Sequence, residues 1–154
     1  MDKKLIFLDI DGTILAPGKG ISQGVKEGLK EASARGHQLF VCTGRSCHLH
    51  PEELEDLELD GVIANAGSDI WIHGENIYRT AFEESQLRCA FEVMDRLGAI
   101  YILEGYDRIY VSERGADILS DSEPVPGDNP ELARWKEFFS RWRDTGSMGE
   151  WTPE

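Results

Sequence analysis

Residues Phe7-Leu8-Asp9-Ile10-Asp11-Gly12-Thr13 place two aspartates, two positions apart, at the end of an apolar run that begins at Leu5. In a strand, alternate side chains share a face. An extended chain would therefore carry Asp9 and Asp11 together past the strand's carboxyl end, where open α/β sheets bind their ligands. Such a pair suits Mg²⁺, a hard cation that takes oxygen ligands and substrate phosphates. It also suits phosphoryl transfer, in which one carboxylate attacks and becomes an acyl phosphate. In this reading Asp9 is the nucleophile, and its second oxygen holds Mg²⁺ together with the main-chain carbonyl of Asp11. The Asp11 side chain protonates the leaving oxygen and then deprotonates the attacking water. Gly12 lets the backbone turn sharply behind them. Asp and Gly also end strands without any chemistry. What favours function is the apolar strand running straight into DIDGT.

Working outward, residues 5–10 read as a buried strand and 12–20 as a loop with Pro17 and three glycines. Ser22 is the N-cap of a helix with Val25, Leu29 and Ala32 on one face, ending near Gly36. Residues 37–42 and 61–64 are further strands, with a short acidic helix over 51–57 between them. Strand, helix, strand, helix, strand implies a parallel sheet with crossover connections. After Asn65-Ala66-Gly67 the rhythm changes. Residues 68–72 and 76–80 flank His73-Gly74-Glu75 as a hairpin. A helix comes next over 83–97, then strands over 99–103 and 108–112, and a short helix over 115–119. Asn129-Pro130 opens a helix whose face includes Leu132, Trp135, Phe138, Phe139 and Trp142. These aromatics at helical spacing read as packing. The expected architecture is α/β: a parallel three-strand half over 1–66, an α+β segment over 67–144, and a loose polar tail over 145–154.

Composition narrows the function. The 154 residues carry 29 Asp+Glu against 16 Lys+Arg, a net charge of −13. That excess disfavours nucleic acid, whose binding needs Lys and Arg against phosphates, and anionic membranes. A small phosphorylated substrate fits, because a bound cation reverses the local field. Cys42, Cys47 and Cys89 form no CxxC pair, which points to reduced thiols in the cytoplasm. No stretch approaches the ~20 apolar residues of a membrane helix.

Thr43-Gly44-Arg45 comes directly after the second strand. A hydroxyl and backbone N–H groups there can hold a phosphoryl oxyanion. The same tripeptide also serves as a plain strand-to-helix turn, and Arg45 either meets substrate or pairs with an acidic neighbour. Cys47, His48 and His50 lack a fourth ligand at suitable spacing for zinc and read as a polar loop.

Taken together, Asp9-Ile10-Asp11-Gly12-Thr13, Thr43-Gly44-Arg45 and Asn65-Ala66-Gly67 resemble the haloacid dehalogenase superfamily, and within it the Cof-type sugar-phosphate phosphatases. The resemblance implies a Rossmann-like parallel core over 1–66, Mg²⁺ dependence, an aspartyl-phosphate intermediate, and an α+β cap inserted after the third core strand, over 67–144. It carries nucleophile onto Asp9, acid/base onto Asp11, phosphate binding onto Thr43 and an active-site entrance position onto Asn65; Gly44 and Arg45, beside Thr43, are substrate-binding candidates. The family wording at the last motif is Asn-Gly-Ala; this chain has Asn-Ala-Gly. The family also implies a later lysine and a Gly-Asp-x-x-Asn-Asp-like acidic motif, and the sequence contains neither. Gly127-Asp128-Asn129 lacks a second acidic partner, and Lys136 sits among aromatics as a surface residue. The chain reads as the first half of such a phosphatase. The first strand, central in the family sheet, then has one open edge, and self-association through that edge is expected. A non-catalytic remnant and a phosphotransferase are the alternative functions.

Overall fold

The structure is a computed structural model that describes residues 2–16, 19–47, 54–105, 108–120, 136 and 145–147. The chain divides into two compact units, Met1–Ala81 and Phe82–Glu154.

The first unit is built on a five-stranded sheet. Its strands are β1 (Leu5–Leu8), β4 (Gln38–Cys42), β5 (Gly61–Ala64), β6 (Asp69–Ile72) and β7 (Glu75–Arg79), in that spatial order. β1, β4 and β5 run parallel, with Phe7 opposite Phe40 and Val41 opposite Val62. Helix α1 (Gln23–Ala34) connects β1 to β4, and the Ser22 side chain accepts from the Val25 N–H as its N-cap. Between β1 and α1 lies a small antiparallel ladder, β2 (Leu15–Ala16) with β3 (Gly20–Ile21), where the sequence pattern predicts only loop. The reason is the turn at Ile10, whose carbonyl accepts from the N–H groups of Thr13, Ile14 and Leu15. That turn folds the chain back immediately after the acidic pair.

One face of the sheet is covered. Ile10, Ile14, Ile21, Val41 and Leu54 form its buried cluster, with Leu8, Leu15, Val25, Leu57 and Val62 packed against them. The other face and the β1 edge are less protected. Among the described residues β1 pairs only with β4, and Leu5 and Phe7 are 58% and 56% exposed. Parallel strands are normally covered on both faces. Phe7 offsets part of its exposure by stacking on Phe40, with ring centroids 5.2 Å apart.

β6 and β7 form the expected hairpin, turning through His73 and Gly74 at positive φ. They do not belong to a separate segment. β6 pairs antiparallel with β5 along its whole length, which makes the hairpin the continuation of the first sheet. The change from parallel to antiparallel pairing produces the shift in sequence rhythm near residue 65. The division between units falls later, after Ala81.

The second unit contains α2 (Glu84–Arg96), β8 (Ile102–Glu104), β9 (Ile109–Val111), α3 (Glu113–Ser120) and β10 (Thr145–Ser147). Glu83 and Gln86 close a capping box at the start of α2. Phe91 on that helix stacks on Tyr101, and the Tyr101 hydroxyl donates to Asp95 at 3.0 Å. Burial, the Asp95 hydrogen bond and nearby acidic charge push the Tyr101 phenol up to about 12. β8 and β9 are antiparallel, and Ile109 and Val111 are buried. The expected loose tail is corrected at residues 145–147, where β10 runs parallel to β9. The acidic helix over 51–57 is described only from Leu54, as a turn, and its first three residues lie outside the described set. So does the aromatic helix expected after Asn129, apart from Lys136, which is helical. His48 and His50 also lie outside it.

Candidate active site

Three chain segments leave the carboxyl ends of adjacent parallel strands: Asp9 after β1, Thr43 after β4 and Asn65 after β5. The strands' common direction therefore brings three separate sequence motifs to one end of the sheet.

β1 ends at Leu8, so the two acids do not continue an extended strand. The alternation persists for one more step: Ile10 is fully buried, while Asp9 and Asp11 on either side of it are exposed. Gly12 then adopts φ +81, a left-handed backbone that glycine takes without steric cost, and its N–H donates to the Leu15 carbonyl. The turn brings Thr13 back over Asp9, and the Thr13 hydroxyl donates to Asp9 Oδ2 at 3.1 Å. Oδ1 of Asp9 accepts no hydrogen bond from the described residues. Asp11 is held differently. Arg45 grips it bidentately, with Nε 2.8 Å from Oδ2 and Nη2 2.5 Å from Oδ1. This fork geometry fixes orientation as well as charge.

The loop after β4 is buried at Thr43 and Ser46 and open at Gly44. Thr43 Oγ1 accepts the Arg45 N–H at 3.1 Å, which leaves its own proton to donate elsewhere. The turn after β5 clamps this loop from the side. The N–H of Asn65 donates to the Arg45 carbonyl at 2.9 Å, and that of Ala66 to the Thr43 carbonyl at 3.0 Å. Asn65 thus meets the Thr43–Arg45 loop through its backbone.

Reaching those carbonyls forces a left-handed turn, with φ +48 at Asn65 and φ +52 at Ala66. Asparagine tolerates this region; alanine has a Cβ that crowds the following carbonyl. The exchange of Gly for Ala at the middle position of the motif, slight on paper, therefore has a backbone cost. Ala66→Gly should relieve about 1–2 kcal/mol of that strain and give back about 0.4–1 kcal/mol through a freer unfolded chain. The expected net is a stabilisation of about 0.5–1 kcal/mol. Denaturant unfolding of parent and variant checks it, and a destabilised variant would contradict the strain.

A second cluster lies beside the loop, and the sequence pattern does not reveal it. Asp69 opens β6 and is buried. Its carboxylate accepts from Arg79 Nε and Nη2, both at 3.1 Å, from Asn76 Nδ2 at 2.6 Å and from Cys47 Sγ at 3.3 Å. Arg79 also lies over the Trp71 ring, 5.4 Å from its centroid. The Trp71 indole Nε1 is buried close enough to bear on Asp69 and Cys47, yet it has no partner in hydrogen-bond geometry. The available signal was an acid at the start of an apolar strand, Asp69-Ile70-Trp71-Ile72, with Arg79 on the paired strand.

Among the described residues no three acidic, histidine or cysteine groups converge as a metal cage. Mg²⁺ seldom needs one; it binds through one or two carboxylates and keeps waters or substrate phosphates. The uncommitted oxygen of Asp9, exposed at the strand end, suits that mode. With its side chain taken by Arg45, Asp11 has its main-chain carbonyl to offer.

A family model for haloacid dehalogenase-like hydrolases matches residues 6–140. The chain belongs to this family. A Bacillus subtilis protein, Putative phosphatase YkrA, is 35% identical over 88 residues, covering 57% of this chain and 34% of that one. A second from the same organism, the 5-amino-6-(5-phospho-D-ribitylamino)uracil phosphatase YcsE, is 35% identical over 78 residues, or 50% of this chain and 31% of its own. Among solved structures, the subclass IIB sugar phosphatase BT4131 superposes with a TM-score of 0.71 at 24% identity, covering 97% of this chain and 54% of its own. That likeness shows the fold: a mixed sheet with helices of the Rossmann-like α/β class. The chain spans about a third of the length of these curated relatives and about half that of the solved one.

Proposed function

We propose that this chain carries the nucleophile side of a Mg²⁺-dependent phosphate-monoester hydrolase acting through an aspartyl phosphate on Asp9. The observation that carries the reading is the state of Asp9: one oxygen is oriented by Thr13, and the other accepts no hydrogen bond from the described residues, beside the strand end that carries the Thr43–Arg45 loop. A carboxylate so restrained meets a phosphorus atom with little further loss of freedom.

Each step balances on residues of this chain. The Asp9 oxygen bonds to phosphorus as the bond to the leaving alcohol breaks, and the departing oxygen takes a proton held at the Asp11 carboxyl. Water then attacks phosphorus, returns a proton to Asp11 and releases inorganic phosphate from Asp9. The Thr43 hydroxyl donates to a phosphoryl oxygen. Arg45 shares its fork between Asp11 and the phosphoryl group, so substrate competes with the ion pair seen here. Asp9 and the Asp11 carbonyl would hold Mg²⁺, whose charge would screen the repulsion between carboxylate and phosphate.

The substrate class we favour is a phosphorylated sugar or polyol. Support comes from the names of the relatives, one acting on a ribityl phosphate and one a sugar phosphatase. The net charge of −13 argues against nucleic acid as partner. All three cysteines are free, which supports a cytoplasmic setting. No described helix is long and apolar enough to cross a membrane.

Release of phosphate from p-nitrophenyl phosphate should require Mg²⁺, stop when EDTA is added and return when Mg²⁺ is restored in excess. Transfer of the phosphoryl group to an added sugar would favour a phosphotransferase. Background rates throughout would favour the non-catalytic remnant.

We also propose that two copies pair through the β1 edge, supported by its having no second partner strand among the described residues and by the exposed Leu5 and Phe7. Light scattering on the 154-residue chain should give a dimer mass, reduced to monomer by Phe7→Lys. A parent that is monomeric at micromolar concentration would contradict the pairing.

A further inference from the structure

The Asp69 cluster lies outside the reaction steps yet touches the loop that binds the phosphoryl group. Cys47 closes that loop, two residues after Arg45 and four after Thr43. Its thiol donates to Asp69, whose other contacts, Arg79 and Asn76, sit on the far strand of the hairpin. We infer that Asp69 is a positioning residue: through Cys47 it ties the phosphoryl-binding loop, residues 43–47, to the β6–β7 hairpin and fixes where Thr43 and Arg45 stand. The inference rests on the phosphatase reading for its consequence, but not for the tie itself.

Three observations support it. First, the backbone bonds that anchor the loop are the Thr43 N–H to the Ile63 carbonyl, and the two from the strained Asn65–Ala66 turn. A turn with two left-handed non-glycine residues in a row needs its surroundings to hold it. The hairpin that starts at Asp69 comes directly after this turn and is the nearest element able to do so. Second, Asp69 is satisfied on every side. Burial disfavours its charge, but Arg79, Trp71, Cys47 and Asn76 together outweigh that and hold its carboxyl below the ordinary range. A group with a depressed folded value contributes stability above its unfolded value, and that contribution is lost as pH falls through the folded one. The tie is therefore intact at neutral pH. Third, the thiol is placed to stay protonated. Burial first, then the Asp69 hydrogen bond and charge, push Cys47 up to about 11 against smaller opposing effects of Arg79 and Trp71. Cys47 thus remains a donor to Asp69 at neutral pH, and a poor nucleophile.

The contacts form a chain: Asn76 and Arg79 fix Asp69, Asp69 fixes Cys47, the loop carries Arg45, and Arg45 grips Asp11. Loosening its second link should let Thr43 and Arg45 wander, which weakens binding of the phosphoryl group in ground and transition state alike. Loss of uniform binding raises KM and spares kcat.

The test uses Cys47→Ala, with Cys47→Ser as the conservative rescue and Asp69→Asn as the second lesion. Two readouts are taken on the full chain. Amide hydrogen exchange at Thr43, Arg45, Asn65 and Ala66 reports the tie, with Leu39–Val41 of β4 as the internal control. KM and kcat for p-nitrophenyl phosphate with Mg²⁺ report its consequence. Cys47→Ala and Asp69→Asn should speed loop exchange about tenfold with β4 unchanged, and raise KM about tenfold with kcat within about threefold. Cys47→Ser should restore both. Unchanged loop exchange in both lesions would overturn the tie whatever the turnover. Faster exchange with an unchanged KM would overturn the positioning role. A parent chain without turnover sinks the phosphatase reading alone, and exchange still decides the tie.

Discussion

Replacing Asp9 by asparagine should reduce phosphate release by about a thousandfold or more, to background. The amide matches the carboxylate in size, and its oxygen can still accept the Thr13 hydroxyl. What it lacks is the anionic oxygen that bonds to phosphorus, so no acyl phosphate forms. The fold should be untouched, because Asp9 is exposed and its hydrogen bond from Thr13 survives the change. A contrast with Asp11→Asn sharpens the assignment. That variant removes the proposed proton carrier and the Arg45 ion pair, at an expected cost of about 10²–10⁴ in rate. Its deficit should shrink for an ester with an acidic leaving group, which needs no proton on departure. The Asp9 deficit should not shrink. Phosphate release from a phenyl and a p-nitrophenyl ester, compared across both variants, measures the difference.

Gly61→Ala should be the most damaging small substitution in the first unit. A Cβ built there lies 2.6 Å from the Trp71 carbonyl oxygen and 2.9 Å from two carbons of the Phe40 ring. Neither obstacle yields easily. The carbonyl belongs to the strand that pairs with β5, and the ring is pinned by its stack on Phe7. Overpacking of this kind costs about 3 kcal/mol, a large fraction of the ~5–15 kcal/mol that holds a domain together. The melting temperature should drop by about 10 °C or more. A variant melting within about 2 °C of the parent would show that β4, β5 and β6 are not so close. The same substitution tests the pairing of β5 with the hairpin, because without β6 the carbonyl that meets the new methyl would be elsewhere.

The elements legible in the sequence are those fixed by local pattern. The third strand, Ser22 as a cap and the hairpin turn at His73-Gly74 arise from apolar runs, a hydroxyl before a helical stripe, and a glycine at a reversal. The illegible elements depend on partners distant in sequence. Nothing in residues 68–80 says that they pair with β5, so the change of rhythm at 65 reads as the start of another segment. The β2–β3 ladder is two residues per strand, too short for any alternation to register. Residues 145–147 look polar and loose, and β9 supplies the pairing. At the site, the spacing of Asp9, Asp11, Thr43 and Asn65 is visible, because each comes just after a strand. The Asp11–Arg45 fork joins residues 34 apart, so the open choice for Arg45, substrate or acidic neighbour, resolves in this state to the neighbour. Asp69, Arg79 and Cys47 are hidden for the same reason: a buried acid is recognised by its partners, and these come from three different elements.

The proposed reaction requires a covalent bond between Asp9 and phosphorus. The 154-residue chain, mixed with Mg²⁺ and a phosphate monoester labelled on phosphorus, is quenched in acid within the first turnover. We predict label on the peptide containing Asp9, removed by hydroxylamine as an acyl phosphate should be, and absent from Asp9→Asn. Phosphate release by the parent with no label on that peptide, or equal label on the variant, would contradict such a bond.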